Sequence, residues 1–205
     1  MIVEMRTYQL RPGTVPTLES LFREHLPHRT PLGPLGGLWH TTTGQLDTAV
    51  HMWPYESIEE RMDVRAKMIQ PGKWPPPLRP ILLEMKATIL LPAPFSPPML
   101  PARHGQVYEL CVETYLPGGP ADCVRDWSPL IDRRQKLSPL VFCGTSEFGA
   151  LNEWVHLWAY RDMDHRAAVR EELDREGWWP PSGGRERLIR QQTQLLEPAE
   201  CSPLA

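Results

Sequence analysis

The segment Val50-His51-Met52-Trp53-Pro54-Tyr55 returns as Val155-His156-Leu157-Trp158-Ala159-Tyr160, an offset of 105 residues. The same offset pairs Glu4 with Glu109, Pro12-Gly13 with Pro117-Gly118, Pro34-Leu35 with Pro139-Leu140 and Gly44 with Gly149. It also pairs Arg61 with Arg166, Arg65 with Arg170, and Trp74-Pro75-Pro76 with Trp179-Pro180-Pro181. A register held over so many unlike residues is a duplication, so whatever the first half builds the second half builds again. The 205 residues therefore read as two homologous modules of ordinary domain size, 1–91 and 106–198. A linker, 92–105, joins them; its stretch Pro92-Ala93-Pro94-Phe95-Ser96-Pro97-Pro98-Met99-Leu100-Pro101 has five prolines in ten residues and reads as extended and semi-rigid. Residues 199–205 are left as a C-terminal tail.

Within each module, the pattern is strand, helix, strand, strand, helix, strand. Residues 2–10 alternate as a strand does, and Pro12-Gly13 stops it. Val15, Leu18, Leu21, Phe22 and Leu26 follow at helical spacing behind Thr14, a candidate N-cap. Residues 35–43 and 48–55 flank Gly44-Gln45-Leu46-Asp47, a hairpin turn mirrored by Gly149-Ala150-Leu151-Asn152. Ser57, matched by Asp162, caps a second helix running through about Met68, and a last strand lies near 81–91. The order βαββαβ is the ferredoxin-like motif, an α+β arrangement whose helices cover one face of an antiparallel sheet and leave the other bare. Tandem copies can cover each other. The expected fold is two ferredoxin-like modules whose sheets pack into one intramolecular α+β barrel, helices outside. That barrel uses up the usual pairing face and leaves a homo-oligomer optional.

Composition excludes several function classes. With 22 Lys+Arg against 25 Asp+Glu, the net charge of −3 gives no bulk attraction for nucleic acid. No apolar run approaches the roughly 20 residues of a membrane-spanning helix, and the N-terminus has the layout of neither a secretion signal nor an organellar presequence. No membrane insertion and a cytoplasmic location are expected. Cys111, Cys123, Cys143 and Cys201 contain no C-x-x-C pair and read as reduced structural thiols. Gly33, Gly36 and Gly37 lack the strand-to-helix setting of a phosphate loop, and Gly183-Gly184 reads as a turn. His25 and His28 have no third ligand at convincing spacing, so no metal site is expected.

Alternate residues of a strand share a face, which separates Val50, Met52 and Pro54 from His51, Trp53 and Tyr55. The apolar set suits the helices. The other set, with its counterpart His156, Trp158 and Tyr160, is then expected to line the barrel interior. First and third strands are neighbours in this motif, so Glu4, Arg6 and Tyr8 would join them in a polar and aromatic wall of the kind that lines small-molecule pockets. His51 and His156 read as core histidines bonded to Glu4 and Glu109, as acid–base groups, or as haem or metal ligands. Trp53 and Trp158 read as packing or as ligand platforms. An inward Arg6 must be paired, by Glu4 or by an anionic group of a ligand. Arg61, Arg65, Arg166 and Arg170 are expected to pair with acids such as Glu59 or Glu171 on a solvated helix face. The Trp-Pro segments read as loops, as lids over the barrel ends, or as docking surfaces.

Met5-Arg6-Thr7-Tyr8-Gln9-Leu10-Arg11-Pro12-Gly13, taken with Val50-His51-Met52-Trp53-Pro54-Tyr55, resembles the NIPSNAP family within the dimeric α+β barrel superfamily. The V-H-x-W-x-Y segment extends the likeness to the second module. There Cys111-Val112-Glu113 replaces Arg6-Thr7-Tyr8, so a site built on the first strand is expected intact in module one alone. The resemblance implies a barrel of two ferredoxin-like sheets within one chain. It implies no single reaction, because superfamily relatives include cofactor-independent and haem-dependent monooxygenases, isomerases and pure binding proteins. The expected function is binding of a small aromatic or anionic molecule in the barrel, as a cofactor-independent monooxygenase or isomerase. In that reading His51 moves a proton while Arg6 and Tyr8 steady a developing oxyanion. Glu4, Trp53, Tyr55, His156, Trp158 and Tyr160 would contact the ligand. The alternative is a non-catalytic interaction scaffold with the Trp-Pro loops as its contact surface. No cofactor is expected: Glu4 competes for His51, large aromatic neighbours compete for the volume of a haem, and no C-x-x-C-H motif exists.

Overall fold

In the computed structural model, which describes residues 1–69, 72–181 and 186–205, each module runs through the same elements. The Gly183-Gly184 turn lies outside the described residues. Module one consists of β1 (Ile2–Leu10), α1 (Val15–Arg29), β2 (Gly37–Thr41), β3 (Thr48–Tyr55), α2 (Ile58–Met68) and β4 (Leu82–Pro92). Module two consists of β5 (Val107–Tyr115), α3 (Gly119–Trp127), α4 (Ile131–Gln135), β6 (Leu140–Phe148), β7 (Glu153–Tyr160), α5 (Met163–Glu176) and β8 (Leu188–Pro198).

Local chemistry accounts for most boundaries. Ser57 Oγ accepts from the Glu60 N–H at 3.2 Å and Asp162 Oδ1 from the His165 N–H at 2.7 Å, each satisfying a donor that the first helical turn leaves unpaired. Ser57→Ala and Asp162→Ala are each expected to cost about 1 kcal/mol; urea midpoints check this, and an unchanged midpoint would show that the caps contribute nothing. Thr14 does not cap α1: its hydroxyl donates to the Arg11 carbonyl at 2.7 Å instead. Where module one has the single helix α1, module two has α3 and α4, because Pro129 between them has no N–H to continue the helix. Both hairpin turns close on a residue in the left-handed region, Asp47 at φ 53° and Asn152 at φ 59°, which Asp and Asn tolerate best among non-glycine residues.

The eight strands close into a barrel in the order β1-β3-β2-β8-β5-β7-β6-β4, all neighbours antiparallel. Two seams join the modules, β2 with β8 and β4 with β6. The linker and tail reinforce these seams. After β4, the Ala93 N–H donates to the Cys143 carbonyl and Ser96 Oγ accepts from the Cys143 N–H. After β8, Ala199 and Ser202 make the same two contacts with Leu38. Each module thus ends in a short strap across the other, and the tail is part of the repeat.

The barrel interior is apolar over much of its volume. Val3, Met5, Val50, Met52 and Leu90 meet Tyr108, Leu110, Val155, Leu157 and Leu196 across the two sheets. Trp39, fully buried, lies 5.6 Å ring to ring from Tyr108. Its indole lies over Gly37, where a Cβ would come within 2.0 Å of the ring. The sequence-based assignment of strand faces is therefore reversed. Val50 and Met52 point into the barrel, whereas His51, Trp53 and Tyr55, with Tyr8 of β1, point outward against Phe22, Val64 and Met68 of the helices. At the level of Val50 and Met52 the interior is packed by both sheets with no room to hydrate charge, so it takes the apolar face there, and charged residues line only the open end; Glu4 and Arg6 go to the helix side.

Candidate functional site

Between the outer face of β1 and β3 and the helices of module one lies a cavity of about 550 Å3. Glu4, Arg6, Tyr8, His51, Trp53 and Tyr55 all line it, so the structure does bring these six together, though outside the barrel wall. The ladder explains the grouping: Glu4 lies opposite Trp53 and Arg6 opposite His51. The Trp74-Pro75-Pro76-Pro77 segment closes one side, so this loop covers the cavity and not a barrel end. The open end of the barrel has its own polar cavity of about 480 Å3, which none of the six lines.

Glu4, 1% exposed, is the electrostatic centre. Its Oε1 accepts from Arg6 at 3.1 Å and Arg61 at 2.5 Å, with Arg65 at 3.9 Å. Arg61 and Arg65 therefore turn inward, and their expected pairing on a solvated face does not occur. Arg6 also donates to the Tyr8 hydroxyl at 3.1 Å. Burial works against the Arg6 charge, but Tyr8 and Glu4 outweigh it and hold the guanidinium protonated. Arg29, 1% exposed and missed in the sequence, spans the far wall: it donates to the Tyr55 hydroxyl at 3.0 Å and lies 4.3 Å over the Trp53 ring. Its signal was available, since Arg134 repeats it in register.

His51 is not bonded to Glu4. Its Nδ1 accepts from the Trp53 indole N–H at 2.7 Å, which assigns the proton of the neutral ring to Nε2. Nε2 is buried and has no hydrogen-bond partner among the described residues. Burial, then the nearby Arg6 charge, holds the His51 pKa well below the ordinary imidazole value. Such a group destabilises in acid: as pH falls below about 6.5, the unfolded chain takes up a proton that the folded site refuses, and stability drops until the folded pKa is reached. Imidazole NMR is expected to show His51 still neutral at pH 6.5; a midpoint at or above about 6.5 would refute this.

Module two repeats the framework. Trp158 donates to His156 Nδ1 at 2.9 Å, Arg166 and Arg170 hold Glu109 at 2.5 and 3.0 Å, and Arg134 lies 4.0 Å over Trp158 while reaching Tyr160. The space beside His156 is about 190 Å3, and a second cavity of about 390 Å3 lies on the other side of Glu113 and Trp127. The first strand differs as expected, Cys111 standing for Arg6 and Glu113 for Tyr8, and Glu113 Oε1 lies 3.8 Å from His156 Nε2. Burial opposes charge on His156, but Cys111 and Glu113 outweigh it, so His156 titrates above His51. Among the described residues, no cluster of three or more His, Cys, Asp or Glu is placed to hold a metal, and the four cysteines are free. No helix among them is long and apolar enough to cross a membrane.

The closed eight-stranded arrangement defines a two-module α+β barrel, and solved structures share it. A candidate monooxygenase from Fusobacterium nucleatum matches 97% of this chain and 92% of its own at a TM-score of 0.66 and 8% identity. One from Lactobacillus acidophilus matches 97% and 93% at 0.64 and 10%. At such identities the likeness is one of fold. The NIPSNAP family profile matches residues 3–97 and again 108–203. Human NipSnap homolog 3B is 30% identical over 213 residues, covering 98% of this chain and 85% of that one; mouse NipSnap homolog 2 is 26% identical, covering 99% and 76%. The chain belongs to the NIPSNAP family, with the family domain present twice.

Proposed function

We propose that the module-one cavity binds a small molecule carrying an anionic group on an aromatic or apolar body. The observation that carries this reading is the charge balance. Among the described lining residues Glu4 is the sole carboxylate, whereas Arg6, Arg29, Arg65 and Arg79 are cations, and Arg61 also rests on Glu4. Surplus guanidinium charge in a partly dry space is costly, and an anion relieves it. Tyr8, Phe22, Trp53 and Trp74 supply faces and edges for an aromatic body.

In the catalytic form of this reading, a cofactor-independent monooxygenase or isomerase, Arg6, the Tyr8 hydroxyl and His51 Nε2–H are the donors for a developing oxyanion. His51 offers a hydrogen at Nε2 and not a lone pair, because its lone pair at Nδ1 is engaged by Trp53. As a neutral ring it can polarise an oxygen through that hydrogen, and it has no free lone pair with which to take up a proton. The scaffold alternative has less support. Trp74 is buried against Phe22 and Trp53 and is not offered to a protein partner, whereas Trp179 is half-buried against Trp127 and Trp158.

Calorimetric titration with benzoate, phenyl phosphate and benzyl alcohol tests the reading. The anions are expected to bind and the alcohol not, with Arg6→Met weakening the anions about ten- to hundredfold, the size of a lost charge-assisted hydrogen bond. Equal binding of alcohol and anions, or indifference to Arg6→Met, would overturn it.

A further inference from the structure

The two modules carry one framework, yet the space beside His51 is continuous, whereas Glu113 and Trp127 stand between two smaller cavities in module two. At the 105-residue offset Glu4, Arg29, His51, Trp53, Tyr55 and Arg61 have identical counterparts, and the structure repeats their contacts. Among the lining positions that differ, Arg6 becomes Cys111, Tyr8 becomes Glu113 and Phe22 becomes Trp127, while Met68, Ile69 and Met85 become Leu173, Asp174 and Gln191. The first three of these changes each work against an anionic ligand in module two. Cys111 removes a cation, Glu113 adds an anion, and the Trp127 ring, 5.0 Å from His156, fills space.

Glu113 is also held in place. Its Oε2 accepts from the Tyr115 hydroxyl at 2.6 Å and its Oε1 from Gln191 at 2.8 Å, and Oε1 faces His156 Nε2 at 3.8 Å. In module one the positions matching Tyr115 and Gln191 are Leu10 and Met85, which can hold no carboxylate; neither His51 Nε2 nor His156 Nε2 has a hydrogen-bond partner among the described residues, but only His156 Nε2 faces a carboxylate. We propose that Glu113 is a built-in occupant of the module-two site, and that a ligand carboxylate takes the corresponding role in module one, on Arg6 and His51 Nε2–H. The chain thus has one working site, and its second copy is closed by its own side chain. This rests on the anion-binding reading above and narrows it to carboxylates.

Benzoate and phenyl phosphate are the probes, with stoichiometry from calorimetry and ring shifts from histidine NMR. Wild type is expected to bind one benzoate, more tightly than phenyl phosphate, shifting His51 and leaving His156 unmoved. The triple substitution Cys111→Arg/Glu113→Tyr/Trp127→Phe writes module-one residues into module two and is expected to bind two. Tyr8→Glu places a carboxylate beside Arg6 in module one and is expected to bind none, whereas Tyr8→Phe, which loses only the hydroxyl donor, binds more weakly but still at one equivalent. If wild type binds neither anion, the anion-binding reading itself fails. One benzoate in wild type with equal shifts at both histidines, or retained binding in Tyr8→Glu, overturns the occupant. A folded triple variant that stays at one equivalent also overturns it, and tighter phenyl phosphate overturns the carboxylate. Should the triple variant not fold, the NMR shifts and Tyr8→Glu decide.

Discussion

Glu4→Gln is expected to lower stability by about 3–5 kcal/mol, the cost of removing one partner from a buried charge cluster. The change keeps shape and removes the single counter-charge on which Arg6, Arg61 and Arg65 converge. The guanidiniums would then repel one another across a partly dry space, and urea unfolding reads the result. Saturating benzoate is expected to restore part of the loss, because a bound anion substitutes for the missing carboxylate and binds only the folded state. A loss below about 1 kcal/mol would place the cluster with solvent-screened surface pairs and remove its claim to organise the cavity. Module two has the parallel case in Glu109. Burial would raise its pKa, but Arg166 and Arg170 outweigh burial and lower it, so its contribution is present above about pH 4.3 and is lost as pH falls through the folded value.

Trp39→Ala is expected to cost a further large amount, about 3–5 kcal/mol, since it empties a fully buried indole site at the contact between sheets. The barrel closes only through β2–β8 and β4–β6 and the two straps, so module one cannot open without exposing the apolar inner face of module two. Wild type and variant are both expected to unfold in one transition, followed by tryptophan fluorescence and far-UV circular dichroism together. Two resolved transitions, or a loss under about 1 kcal/mol, would show that the modules stand independently.

The sequence by itself determined the duplication, and with it the element order, the hairpin turns at Asp47 and Asn152, the caps at Ser57 and Asp162, and the closure of two sheets on each other. These follow from local chemistry and from a repeat visible residue by residue. It also grouped Glu4, Arg6, Tyr8, His51, Trp53 and Tyr55 correctly, because strand alternation fixes which residues share a face. It did not determine which way that face points. Both faces of these strands are buried, one by the partner sheet and one by helices, so periodicity carries no sign; the tertiary structure decided it, by placing Val50 and Met52 in the packed apolar part of the barrel interior. The same holds for Arg61 and Arg65, whose helical spacing is that of a solvated pair until α2 is laid beside β1 and Glu4 comes within reach. His51 depended on a neighbour as well: only the packed strand shows Trp53 donating to Nδ1, and that one hydrogen bond turns a candidate base into a donor.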